Sequence, residues 1–232
     1  CLAATVGVRS LEIRHLSVAS AGEALALWLA LIILVHRWLD FRGRFRTLAV
    51  FVAPLLALLG ALSLAAVGGR DWKPPSGLLD RWSPWLDFHV LTALAGYAMF
   101  TVGFLLSAMY LLQDRQLKRK AWSFLTEFLP PLEDLDQANY LLIGRAFTVF
   151  TAAIFSGMLL VYRQGWQQNW LCEPKILFTF ITWGVYAVLF HQRGAGLARG
   201  RKIAWGTVLG FLLILATFFL GELLRYGRHH FL

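Results

Sequence analysis

Residues 89–112 read HVLTALAGYAMFTVGFLLSAMYLL, an apolar run that contains no Asp, Glu, Lys or Arg. A helix needs about 20 mostly apolar residues to cross a bilayer, and this run is long enough. Scanning outward from it along the chain finds five further windows of the same kind, at approximately 21–39, 47–68, 140–162, 176–192 and 203–222. The sequence therefore predicts a bundle of about six transmembrane helices.

The composition indicates the same class of protein. Of the 232 residues, 58% are hydrophobic and 15% are charged, whereas a soluble domain carries roughly a quarter charged residues. The alternating pattern of a membrane β-barrel is absent from the sequence. We predict an all-α integral membrane protein with a single transmembrane domain over residues 1–232. Because the sequence begins with Cys1 in an apolar stretch rather than with Met, we expect the natural protein to be longer at its N-terminus.

The basic residues explain how this bundle is oriented. The net charge is +9, and the Lys and Arg residues cluster in alternate connections between the predicted spans. This pattern is typical of cytoplasmic loops, and it does not form the basic face or arm of a nucleic-acid-binding protein. We expect residues 42–46, 113–139 and 193–202 on the inner, cytoplasmic side of the membrane, and residues 69–88 and 163–175 on the outer side. We expect no nucleic-acid partner.

Histidines and tryptophans meet on the predicted outer side. His89 opens the third span, His229 and His230 follow the last span, and the loop GWQQNWLCEPK, residues 165–175, carries Trp166 and Trp170. Neutral imidazoles and flat aromatic walls are what a haem iron and its macrocycle need from a protein. The alternative reading is that these tryptophans only form an interfacial aromatic belt.

Other ionisable residues have two readings each. His191 ends the fifth span on the inner side, so it has a separate role from His89 or is an interfacial histidine. Arg145 lies one or two turns inside the fourth span, where it contacts lipid headgroups or a haem propionate. Glu23 lies near the outer end of the first span, as an interfacial residue or as a partner of an arginine. Cys1 and Cys172 do not form a disulfide framework.

Several stretches resemble the CcsA-like cytochrome c assembly family, including its HemX-like members. They are FHVLTALAGYAMFTVGFLLSAMYLLQDRQLKRK, LPPLEDLDQANYLLIGRAF, SGMLLVYRQGWQQNW, ITWGVYAVLFHQR and RYGRHHFL. The resemblance runs from about Glu23 to the C-terminus. It implies that residues 165–175 are a tryptophan-rich loop that receives haem, matched by Trp166, Trp170, Pro174 and Lys175. Cys172 and Glu173 depart from the tryptophan and aspartate of that loop.

The resemblance also implies roles for the histidines. His89 matches one haem ligand, and His229 or His230 matches the other. His191 matches a transmembrane histidine that helps to accept haem from the inner side. Glu23 resembles the glutamate of an early motif, from which the proline is missing in SVASAGEAL.

The function implied is a haem-binding protein of cytochrome c biogenesis in a bacterial inner membrane. It would present haem b at the outer face for attachment to apocytochrome c, as a possible subunit of a haem lyase, and its partners would be membrane lipid and a ResB/CcsB-like membrane subunit. The alternative is a HemX-like regulator or assembly factor of haem biosynthesis without ligation activity. A transporter is a third reading, but it predicts broken spans in repeated halves, and only Pro54 is placed in that way.

Overall fold

The computed structural model describes residues 21–42, 45–67, 84–120, 128–163 and 174–223. These residues form six α-helices and a single turn of 3-10 helix after the first of them, and no β-strand occurs among them. The predicted all-α fold is confirmed. The helices are α1 (Ala21–Leu39), α2 (Leu48–Val67), α3 (Pro84–Lys118), α4 (Leu132–Arg163), α5 (Pro174–Gly194) and α6 (Arg201–Leu223).

Five of the six helices, α1 and α3 to α6, are long and apolar enough to cross a membrane. Helix α2 contains a shorter apolar stretch, Leu48–Leu64, and carries Pro54 in its interior. Length and composition thus confirm a multi-pass membrane protein, with five of the predicted spans meeting the requirement and α2 as a further apolar helix.

Helices α3 and α4 extend beyond their apolar windows, so the connection predicted at 113–139 is shorter in the structure. Helix α3 continues to Lys118, whose ammonium lies 2.8 Å from the Asp114 carboxylate one turn earlier. Helix α4 starts directly after two prolines, and the amide of Leu135 donates to the carbonyl of Pro131 at 3.1 Å. An apolar window marks where a helix lies in the membrane, whereas prolines and capping contacts mark where it begins and ends.

Helix α3 is the central helix, because it packs against α4, α6, α1 and α2, while α5 packs against α6 and α4. Ring contacts give the helix directions. The rings of Phe104 and Phe211 stack at 4.3 Å, and the Arg115 guanidinium lies over the Trp205 ring at 5.9 Å. Residue numbers thus rise along α3 as they fall along α6, and the two helices are antiparallel.

The same reasoning orders helices α4 and α5. The Tyr140 ring stacks on Phe190 at 5.9 Å, and the Phe147 ring stacks on Trp183 at 5.6 Å. The Trp183 indole N–H also donates to the Thr151 hydroxyl at 3.0 Å. Helices α4 and α5 are therefore antiparallel as well.

Helices α3 and α4 are antiparallel, because His89 lies against Ala153 and Ser107 accepts from Asn139. Helix α1 starts at the end where His89 lies, because its Trp28 ring contacts Tyr97 and its later Trp38 ring contacts Arg145. Helix α2 runs back toward that end, because its Ser63 hydroxyl donates to the Gly22 carbonyl at 2.8 Å.

The six helices therefore alternate in direction, so each end of the bundle combines the starts of three helices with the finishes of the other three. The end that carries His89 is called the His89 end. At this end α1, α3 and α5 begin and α2, α4 and α6 finish, at residues Ala21, Pro84 and Pro174 and at Val67, Arg163 and Leu223.

The interior of the bundle combines aromatic packing with a few polar bonds. The buried rings of Phe100 and Tyr186 stack at 3.6 Å between α3 and α5. Between α3, α4 and α6, the buried Asn139 amide donates to the hydroxyls of Ser107 at 3.0 Å and Thr207 at 3.4 Å. Hydrogen bonds of this kind hold membrane helices together, because lipid offers the polar groups no other partner.

Candidate functional site

The His89 side chain lies in the second turn of α3 and is held against the last turns of α4. Its Nδ1 atom lies 2.8 Å from the carbonyl oxygen of Ala153 and 3.3 Å from the hydroxyl oxygen of Ser156. A carbonyl oxygen only accepts hydrogen bonds, so Nδ1 carries the proton and donates. The neutral ring then has its lone pair on Nε2, which is the form in which histidine binds a metal.

Exposed aromatic residues precede His89 at the start of α3. Trp85 and Phe88, in the first turns of α3, are 45% and 47% exposed. The guanidinium of Arg163, the last residue of α4, lies 5.4 Å from the centre of the Trp85 ring. Lys175, in the first turn of α5, is close enough to His89 for the two to interact electrostatically. The described residues on both sides of the segment 164–173 therefore lie at the His89 end of the bundle.

The remaining residues predicted for the outer site lie outside the described part of the chain. Trp166 and Trp170 belong to the segment 164–173, and His229 and His230 belong to the segment 224–232. The helices that precede these segments, α4 and α6, both finish at the His89 end. The segments 164–173 and 224–232 therefore both follow helices that finish at the same end of the bundle.

His191 lies at the opposite end of the bundle, exposed in the last turn of α5. The structure does not bring His191 together with His89. Arg145 is exposed, and its guanidinium lies 4.4 Å from the centre of the Trp38 ring near the last turn of α1. Arg145 is therefore also remote from His89. Glu23 is buried in the first turn of α1, at the His89 end.

Sequence reasoning missed the three residues of α4 that contact His89, namely Ala153, Ser156 and Gly157. A Cβ atom built on Gly157 would lie 2.7 Å from Cε1 of the His89 ring. The signal in the sequence was the pair Ser-Gly inside an apolar helix, at positions that leave a polar atom and a gap on one helical face.

A second polar contact, at the opposite end, was also missed. Asp136 of α4 accepts a hydrogen bond from the Arg193 guanidinium at 2.6 Å and another from the backbone amide of Gly200 at 2.9 Å. Gly200 has a positive φ of 60°, and a side chain there would collide with the Tyr110 hydroxyl. Asp136 thus fixes the turn between α5 and α6.

The described residues suit a haem better than a bare metal ion. Within the described ranges, no group of three or more His, Cys, Asp and Glu side chains is placed to hold a metal. A haem iron needs only one or two protein ligands, because the macrocycle supplies the others. The Nε2 atom of His89 is a candidate donor for such a group, and Trp85 and Phe88 are exposed aromatic residues in the same first two turns of α3.

Comparison with known proteins adds the family context. A family model described as Cytochrome C assembly protein matches residues 18–229 of the chain. The chain is also similar to the cytochrome c biogenesis protein CcsA of Nicotiana tomentosiformis, with 32% identity over 174 residues that cover 64% of this chain and 55% of the relative. This chain therefore spans about half the length of that plant relative.

Two more distant relatives match the whole chain. The CcsA protein of Guillardia theta is 24% identical over 249 residues, which cover 100% of this chain and 82% of the relative. The CcsA protein of Microcystis aeruginosa is 24% identical over 275 residues, which cover 100% of this chain and 84% of the relative.

Proposed function

The chain belongs to the cytochrome c assembly protein family, and from that premise we propose that it binds haem at the His89 end and presents it there to apocytochrome c. Membership of the family implies a role in cytochrome c maturation. The observation that carries the finer proposal is the His89 ring, whose Nδ1 is engaged by the Ala153 carbonyl and whose Nε2 is left to bind iron.

In this proposal the ligands come from two parts of the chain. His89 would bind the iron through Nε2, and His229 or His230, which follow the helix that finishes at the same end, would bind it as well. Trp166 and Trp170 provide apolar walls in the segment that joins α4 to α5. Haem b, when bound, supplies the vinyl groups that react with the thiols of a CxxCH sequence. The residues of this chain hold and orient it.

His191 has a separate part in the proposal. It is exposed at the opposite end of the bundle, where its imidazole is open to a membrane partner. We assign it to the acceptance of haem from the inner side, together with a ResB/CcsB-like membrane subunit. The complete assembly would act as a haem lyase, a cytochrome c synthase, in a bacterial inner membrane.

A second function is favoured by the two departures in the tryptophan-rich loop. Cys172 and Glu173 replace the tryptophan and the aspartate expected there. A smaller aromatic wall weakens the hold on a flat macrocycle, because stacking contributes to the affinity. The alternative is therefore a HemX-like membrane regulator or assembly factor of haem biosynthesis that performs no ligation.

An absorption spectrum tests the proposal. The protein is expressed with excess haem and purified in detergent, and we expect a Soret band that responds to reduction with dithionite. A preparation without any Soret band, from protein that is folded by circular dichroism, would contradict haem binding.

A loop variant separates the two functions. Changing Cys172→Trp and Glu173→Asp together should raise haem retention, or raise the yield of holocytochrome c in a strain that lacks its own ligation subunit. Full cytochrome yield with the native loop would establish ligation. Zero yield from both forms, alongside normal haem binding, would favour the HemX-like function.

A further inference from the structure

We infer that Ala153, Ser156 and Gly157 of α4 form a cradle that sets the tautomer and the position of the His89 ring. The inference rests on the proposed function, since it explains why Nε2 is the atom presented to haem. It concerns α4 residues in the apolar run that sequence reasoning had assigned only to membrane spanning.

Both acceptors of the His89 Nδ1 proton come from the cradle. The Ser156 hydroxyl donates to the Ala153 carbonyl at 2.8 Å, so its hydrogen is already committed and only its lone pairs face the ring. The Ala153 carbonyl oxygen has no hydrogen to donate. With two acceptors at 2.8 Å and 3.3 Å, Nδ1 is the protonated atom and Nε2 is the unprotonated one.

Gly157 provides the space for the ring. A Cβ atom at this position would lie 2.7 Å from Cε1 and 3.1 Å from Nδ1 of His89. Carbon atoms in contact are separated by about 3.5–4.0 Å, so any side chain at 157 displaces the ring from the Ala153 carbonyl. Glycine in a helix interior is less stabilising than alanine. The close approach of the His89 ring explains why glycine occupies position 157.

The cradle leaves the reactive edge of the ring unused. Within the described part of the chain, both hydrogen bonds of the His89 side chain involve Nδ1. A histidine that served only to join α3 and α4 would gain nothing from a defined Nε2 lone pair. We therefore assign Ser156 and Gly157 as positioning residues for His89.

The decisive test uses the haem-free protein. Nitrogen-15 NMR of histidine-labelled protein in detergent distinguishes a protonated ring nitrogen from an unprotonated one, and the His89→Gln variant identifies the His89 signals. We expect wild-type His89 to show protonated Nδ1 and unprotonated Nε2. In Gly157→Ala we expect this signature to be lost, and in Ser156→Ala we expect it to persist with the shift of Nδ1 changed.

A haem readout accompanies the tautomer readout. Gly157→Ala should lower haem affinity about tenfold or more, and added imidazole should partly restore the low-spin spectrum. Ser156→Ala should lower the affinity only a few-fold, because the Ala153 carbonyl remains as an acceptor. Gly184→Ala and Thr148→Ala are the matched controls. Among the described residues, a Cβ at 184 meets no other helix within 4 Å, and the Thr148 hydroxyl donates to the Gly144 carbonyl of its own helix.

Each outcome decides one of the two claims. Protonated Nε2 in wild-type His89, or a Gly157→Ala protein with unchanged tautomer and unchanged haem spectrum, would overturn the cradle. If Gly157→Ala fails to fold, the Ser156→Ala shift decides, and an Nδ1 signal identical to wild type would overturn it. The expected tautomer in a wild-type protein that binds no haem would overturn the proposed function and leave the cradle standing.

Discussion

Gly210 of α6 faces the ring of Tyr186 so closely that a Cβ atom at 210 would lie 2.7 Å from the ring carbon Cζ. Tyr186 cannot easily move away, because it is fully buried and stacks on Phe100 at 3.6 Å. The packing of α5 on α6 therefore depends on a glycine at this position.

The first prediction is that Gly210→Ala destabilises the protein. The added methyl group must displace a ring that is packed on its other side, and overpacking of this kind costs about 1–3 kcal/mol. Thermal or denaturant unfolding in detergent measures the change.

Gly184→Ala serves as the matched control in α5. Its Cβ meets nothing within 4 Å, so alanine should be neutral or slightly stabilising, by less than about 1 kcal/mol. Equal destabilisation by both changes would show that the effect belongs to helix glycines in general and not to the Tyr186 contact.

The second prediction concerns the turn between α5 and α6. Asp136→Asn should lower the free energy of unfolding by about 2 kcal/mol. The change removes the negative charge from two hydrogen bonds and leaves the partly buried Arg193 without its counter-ion. Limited proteolysis between residues 194 and 200 should become faster in this variant.

An exposed ion pair gives the comparison. Asp114 pairs with Lys118, whose side chain is 60% exposed, one helical turn away. Asp114→Asn should lower the free energy of unfolding by no more than about 0.5 kcal/mol. If the rate of proteolysis between residues 194 and 200 is the same in Asp136→Asn as in the wild type, the anchoring role of Asp136 is contradicted.

The sequence was sufficient to predict the class of fold, but it was not sufficient to predict the polar contacts between helices. Apolar windows located all six helices, because burial in lipid requires a long run of apolar residues whatever the neighbouring helices are. The windows could not show that α3 extends to Lys118, since a helix outside the lipid tolerates charged residues.

The contacts between helices were harder to foresee. His89 and His191 were recognisable as ionisable residues at the edges of apolar runs. Ser156, Gly157 and Asp136 were not singled out, because their importance comes from the residues opposite them, which depend on helix rotation and register. A pattern within one helix does not specify which face meets which neighbour.

The third prediction concerns the orientation of the bundle and uses a native thiol. The distribution of Lys and Arg predicts that the segment 163–175, which contains Cys172, is on the outer side. In a Cys1→Ser background, a membrane-impermeant maleimide should label Cys172 in intact cells or right-side-out vesicles. Labelling only in inverted vesicles would place this segment, and with it the proposed site, on the inner side.

The central claim is that His89 binds haem iron through Nε2, and the spectrum of His89→Ala tests it most directly. This variant lacks the imidazole that would bind the iron, so the Soret band of the purified protein should weaken or shift to a high-spin form. Exogenous imidazole should return it toward the wild-type spectrum. His191→Ala, changed at the opposite end of the bundle, should keep the wild-type spectrum of the outer site. A His89→Ala protein whose haem content, spectrum and response to imidazole all equal those of the wild type would contradict the account.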